Sequence, residues 1–185
     1  MLARQSRQSL LQRGLSLLSG KARSIPPLRG VYLWGSVGRG KTFLVDEFFA
    51  ELPISEKRRE HFHRFIQDVH AGLRRHRDLS SPLNHVAAGI ARQARLLCID
   101  EFVVGDVADA MILAALLEAL FANGVTLVAT SNLPASRLYR GGLQRARFLP
   151  AIALIERHCK IMRLDGGGDY RLRQLVSAQL FLGPD

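Results

Sequence analysis

Gly35-Ser36-Val37-Gly38-Arg39-Gly40-Lys41-Thr42 follows the spacing G-x-x-x-x-G-K-[ST]. Glycines at these positions allow backbone angles that turn successive N–H groups toward phosphate oxygens. A helix starting at the same place adds the positive end of its dipole. Lys41 is placed to reach β- and γ-phosphates, and Thr42 to ligate Mg²⁺. Asp100-Glu101 follows four apolar residues, Leu96-Leu97-Cys98-Ile99. An acid ending such a strand can hold Mg²⁺ through water, and the next carboxylate can orient and polarise an attacking water. Alone, the acidic pair reads as an ordinary turn; beside a phosphate loop it reads as catalytic machinery. Thr130-Ser131-Asn132 ends another apolar run, so Asn132 is expected near a γ-phosphate or the attacking water. In Leu143-Gln144-Arg145-Ala146-Arg147-Phe148, one arginine could enter a neighbouring copy's nucleotide site. Arg145 is the first choice and Arg147 the reserve. The competing reading is a surface arginine in an arginine-rich chain.

Two histidines and two cysteines complete the candidates. His61 and His63, two residues apart on an expected strand, would share a face. No third ligand stands at a suitable spacing, so a metal site is not expected. One of them, His63 in the first instance, could contact Glu101 from a neighbouring strand and gate it. Cys98 and Cys159 read as packing.

The elements that must hold these residues alternate. Strand signals lie at 30–34, 59–63, 96–99, 125–129 and 160–164, with helical signals at 41–50, around 65–73, from 82, from 107 to 121 and around 150–157. Alternation of this kind predicts an α/β fold with a parallel sheet. Ser81 is expected to cap a helix with Pro82 at its first position, and Asp106 to cap the helix that Gly124 closes. The strand at 59–63 separates the two motif strands, which are therefore not consecutive. An extra strand can insert between them, the arrangement that uses a catalytic glutamate.

The chain has 185 residues, 48% hydrophobic and 23% charged. That fits a globular protein with a real core and excludes a collagen-like or mostly disordered chain. The apolar run at 111–117 falls far short of the ~20 residues a membrane helix needs. Two cysteines exclude a disulfide framework and a four-cysteine zinc site, and a reducing compartment fits them best. The net charge is +10, and all but four of the 26 basic residues are arginine. Residues 1–25 hold no acid and carry Leu10, Leu11, Leu15, Leu17 and Leu18 among basic and serine residues. They read as a basic amphipathic segment, suited to packing on the domain or to an anionic membrane surface; a mitochondrial transit peptide reads similarly. Residues 26–185 read as one nucleotide-binding core.

The runs VYLWGSVGRGKTFLVDEFF, REHFHRF, LLCIDEFVVGDVADAMIL, GVTLVATSNLP and LYRGGLQRARFLPAI resemble the AFG-type AAA+ ATPases. The closing run HCKIMRLDGGGDYRLRQL is most similar to the bacterial branch. The resemblance implies a P-loop NTPase fold, an AAA+ core with a five-stranded parallel sheet, with ATP as substrate and Mg²⁺ as cofactor. It makes 35–42 the Walker A loop, Asp100 and Glu101 the Walker B pair, Asn132 the first sensor and Arg145 the arginine finger. It also implies assembly into a homo-oligomeric ring. For the bacterial branch it implies a cytoplasmic protein, peripheral to the inner membrane, associated with the division ring and its tubulin-like polymer FtsZ. For the mitochondrial branch it implies membrane-protein quality control. Ser36 departs from the family, which often has glycine there, and the chain reaches Asp185 without the family's C-terminal helical lid. Two rival readings remain: a nucleotide-binding interaction module with little turnover, and a DNA-remodelling or helicase-loading protein suggested by the +10 charge. No helix-turn-helix or aromatic single-strand platform is evident, so nucleic acid is not the expected partner.

Overall fold

A computed structural model of the chain describes residues 28–164. The basic segment at 1–25 lies outside them. Five strands, β1 (Gly30–Trp34), β2 (Lys57–His61), β3 (Leu96–Asp100), β4 (Thr126–Ser131) and β5 (Cys159–Arg163), form one sheet in the order β2-β3-β4-β1-β5. Every pairing is parallel. Five helices connect them: α1 (Lys41–Glu51), α2 (Phe62–Arg75), α3 (Pro82–Gln93), α4 (Val107–Ala122) and α5 (Arg145–His158).

Burial along the strands follows the two-residue period. Tyr32, Leu97, Ile99, Leu127 and Ala129 face the larger core, which α2 to α5 cover. Leu33, Leu96, Cys98 and Val128 face the other side, where Val45 of α1 meets them. Helix α4 buries Ala110, Leu113, Leu116, Leu117, Leu120 and Phe121. Its apolar residues are spread around its circumference because it packs against both α3 and α5. The Asp106 carboxylate caps it, accepting from Ala108 N at 2.6 Å and Asp109 N at 3.4 Å. Asp106→Ala leaves those amides without a protein acceptor and is expected to lower unfolding stability by about 1 kcal/mol, read as a drop in the denaturant midpoint.

The strand between the two motif strands is β4, and not the one that lies between them in the chain. β2 reads KRREH, charged or ionisable at every position, and takes the edge beside β3. Such a strand fits an edge, whereas the last five residues of β4 are all buried. β2 also begins and ends two residues earlier than expected. Phe62, Phe65, Ile66 and Val69 bury together at helical spacing, so α2 starts at Phe62. His61 therefore ends a strand while His63 sits in a helix, and the two do not share a strand face.

Smaller differences have local causes. Ser81 adopts φ 61° and makes no side-chain cap bond, although Pro82 does open α3. Helix α5 begins at Arg145 and not near Pro150, which lies inside it. Proline is tolerated there because Phe148, Ala151, Ile152 and Ile155 bury one face of the helix. β5 lies one residue earlier than the expected 160–164.

Candidate nucleotide site

Parallel strands bring all their carboxyl ends to one edge of the sheet. β1 ends in the glycine loop, β3 in Asp100, and β4 in Ser131 just before Asn132. Since β4 lies between β1 and β3, the three ends are neighbours, at the kind of crevice where open α/β sheets bind ligands. One pocket there is lined by Val37, Gly38, Arg39, Gly40, Lys41, Thr42, Glu101, Thr130, Ser131 and Asn132. Gly38 and Gly40 have φ of 79° and 80°, in the region L side chains rarely adopt, and a Cβ on either would meet no atom within 4 Å. The loop is thus wrapped around open space at the start of α1. Gly35 is buried and Ser36 exposed. Gly35 donates its N–H to Ser131 O at 3.1 Å, which ties the loop to β4.

Lys41 Nζ donates to Gly35 O at 2.7 Å, Ser36 O at 2.8 Å and Asn132 Oδ1 at 2.9 Å. Burial lowers its pKa below the ordinary lysine value, while the Glu101 charge works in the opposite direction. Lys41, Asn132 and Glu101 are thus close enough to feel one another.

Asp100 is buried at 5% exposure. Its Oδ1 accepts from Thr130 Oγ1 at 3.3 Å and its Oδ2 from Arg59 Nε at 2.7 Å. Glu101 has φ 54°, a strained left-handed turn for a residue other than glycine. That turn is held by Glu101 N donating to Thr130 Oγ1 at 3.1 Å and Phe102 N donating to Thr130 O at 2.7 Å. It directs the Glu101 side chain outward, 75% exposed, with His61 Nδ1 3.8 Å from its Oε2. The histidine facing Glu101 is therefore His61; His63 instead has Nε2 3.2 Å from Gln67 Nε2.

The residues after Glu101 have a packing role that the sequence did not disclose. Phe102 is buried against Tyr32 and Phe62, with ring centroids 6.3 Å and 4.7 Å away. Ser131 Oγ donates to Phe102 O at 2.8 Å, and the Tyr32 hydroxyl donates to Leu133 O at 2.9 Å. Together these bonds fix the chain on both sides of Asn132. Burial raises the Tyr32 pKa far above the usual phenol value. Arg59, Thr130 and Tyr32 were not singled out for these roles in the sequence, because each acts through a contact with a distant segment.

Arg145 lies apart from this pocket, at the first position of α5, its Nη2 donating to Ser136 O at 2.8 Å. The approach to it is tightly built. Tyr139 and Gln144 have φ of 52° and 55°, and the Tyr139 hydroxyl donates to Leu143 O at 2.9 Å. Cys98 and Cys159 are buried thiols pushed up to about 12 by burial, which leaves them protonated and unreactive. Among the described residues no group of three or more His, Cys, Asp or Glu could hold a metal ion. The Thr42 hydroxyl lines the pocket and the Asp100 carboxylate is bonded to Thr130 of its lining; both are hard oxygen donors of the kind Mg²⁺ takes when phosphate oxygens and water complete its shell.

Comparison with known proteins agrees with this geometry. A model of the AFG1-like ATPase family matches residues 2–185. The cell division protein ZapE of Escherichia coli K12 is 54% identical over 158 residues, covering 85% of this chain and 42% of ZapE. Lactation elevated protein 1 homolog B of Danio rerio is 42% identical over 163 residues, covering 82% of this chain and 32% of that protein. The chain thus spans less than half the length of these relatives. Among solved structures, AMPPCP-bound DnaA from Aquifex aeolicus superposes with a TM-score of 0.55 at 16% identity, covering 84% of this chain and 47% of DnaA. DnaI superposes with a TM-score of 0.56 at 14% identity, covering 86% of this chain and 85% of DnaI. At such identities the likeness shows the P-loop NTPase fold and nothing finer. The family match runs over nearly the whole length, and the chain belongs to the AFG1-like ATPase family.

Proposed function

We propose that this chain is the nucleotide-binding core of a Mg²⁺-dependent ATP hydrolase that works as a homo-oligomer. The observation that carries the reading is the meeting of Lys41, Thr42, Glu101 and Asn132 around one pocket, with Asp100 hydrogen-bonded to Thr130 of its lining. Backbone N–H groups of 35–42 and the Lys41 ammonium bind the phosphates. Thr42 and Asp100 would hold Mg²⁺, which when bound neutralises charge on the phosphate oxygens. Glu101 orients the attacking water and accepts its proton, and Asn132 contacts the γ-phosphate or that water. Arg145 is assigned to a neighbouring copy's nucleotide, a reading supported by its not being among the residues that line its own pocket. Arginines at 145 and 147 open α5 against the positive end of its dipole, with no acid in that first turn. That unfavourable placement is understandable if an anion comes to meet them.

The cellular setting rests on relatives. ZapE is named for cell division, and we extend that role to this chain, with the FtsZ polymer as partner at the cytoplasmic face of the inner membrane. No helix among the described residues is long and apolar enough to cross a membrane.

Phosphate release from ATP tests the proposal. It is expected in the presence of Mg²⁺, to fall to background in EDTA, and to return when Mg²⁺ is restored. Release that is indifferent to EDTA sinks the reading. Tight nucleotide binding without release would favour the interaction-module alternative.

A further inference from the structure

We propose that Arg59 is the positioning residue of the divalent-cation site, fixing the helix that carries Thr42 and the strand that carries Asp100 at one separation. The inference rests on the nucleotide reading above and adds to it a group on the sheet edge, outside both motifs.

The two arginines of β2 behave differently. Arg58 bonds near its own element, to Glu60 and to Asp68 of α2. Arg59 points to the opposite face and joins two segments distant in sequence. Its Nε donates to Asp100 Oδ2 at 2.7 Å, and its Nη1 is bonded to Asp46 Oδ1. Asp46 lies four residues after Thr42, one turn along α1 and on the same side of that helix. A single planar guanidinium therefore spans the two elements whose ends would hold Mg²⁺. Its rigid fork makes such a double contact directional, which a lysine ammonium cannot reproduce.

Burial separates this contact from an ordinary surface pair. The side chains of Arg59 and Asp100 are 17% and 7% exposed, and that of Asp46 is 54%. With Oδ2 held by Arg59 and Oδ1 reached by Thr130, the Asp100 carboxylate cannot rotate freely. Hydrogen-bond partners of a ligating carboxylate typically change metal affinity 10- to 100-fold when removed.

The test compares binding of a fluorescent, non-hydrolysable ATP analogue in excess Mg²⁺ and in EDTA. Arg59→Met is expected to weaken binding in Mg²⁺ by about tenfold and to leave binding in EDTA unchanged. Arg59→Lys should recover only part of the loss. Asp46→Asn, on an exposed residue, should shift the same ratio in the same direction and add nothing on an Arg59→Met background. A folded Arg59→Met variant with the wild-type ratio overturns the inference, as does an equal fall in both conditions, which would mark a structural tie alone. If Arg59→Met fails to fold, Asp46→Asn decides, and a wild-type ratio there overturns it. A wild-type chain that binds the analogue equally in Mg²⁺ and EDTA sinks the proposed function and this inference together.

Discussion

Glu101→Gln is expected to lower ATP turnover by roughly a thousandfold while leaving nucleotide affinity intact. The substitution keeps the shape of the side chain and removes its basicity. Nothing holds the Glu101 carboxylate in the core: it is three-quarters exposed and projects from a turn fixed by backbone bonds to Thr130. The turn, and so the position of the side chain, should survive the change. Losing the negative charge near Lys41 makes the pocket more positive, so affinity for ATP should hold or rise. Single-turnover phosphate release measures the first effect, and equilibrium titration with an ATP analogue the second. A turnover rate equal to wild type would remove Glu101 from the chemistry. A parallel loss of affinity would mean that the side chain supports the pocket and does not act on water.

The outcome also bears on His61. Its ring is 3.8 Å from the Glu101 carboxylate, at the end of the edge strand, and both groups are mostly exposed. An exposed pair of this kind contributes little to stability. Its interest is that His61 stands where a small movement of β2 would change the surroundings of Glu101.

Much of the site was legible because its residues are local in sequence. The glycine loop, Lys41 and Thr42 are contiguous, and Asp100 and Asn132 each follow an apolar run that can only be a buried strand. The relation between these segments was legible only in part. Which strand lies between β1 and β3 depends on competition for the sheet centre, and the charges of β2 decide it against the order in the chain. Arg59 was invisible as a site residue, because its partners Asp46 and Asp100 are 13 and 41 residues away. The start of α2 was placed too late because the strand was expected to run through His63, whereas Phe62 buries with Phe65, Ile66 and Val69 at helical spacing. Pro150 concealed the first turn of α5, which was expected only around 150–157 and in fact begins at Arg145. The packing of Phe102 between Tyr32 and Phe62 was not legible either, because those rings come from segments 70 and 40 residues away.

Lys41→Ala should reduce nucleotide affinity by about a hundredfold, or about 3 kcal/mol, in Mg²⁺ and in EDTA alike. The ammonium is already fully engaged, by two loop carbonyls and Asn132 Oδ1. Two of these bonds pull the lysine back along its own loop, so they shape the phosphate cradle as well as holding the charge. An arriving phosphate need not break them all, since three N–H donors can turn toward it as one bond is exchanged. Because the amine is partly desolvated, its interaction with a polyphosphate is screened less than at an open surface. Truncation removes that interaction whether or not a cation is present, and this distinguishes it from loss of Arg59, which is expected to show only in Mg²⁺. Stability should change little, because the methylenes of Lys41 lie at a half-exposed helix start. Titration of an ATP analogue, with thermal melting as the control for folding, separates these effects. Wild-type affinity in a folded Lys41→Ala variant would leave Lys41 as a clasp between the loop and Asn132 and would move the source of phosphate affinity to the backbone N–H groups and the dipole of α1.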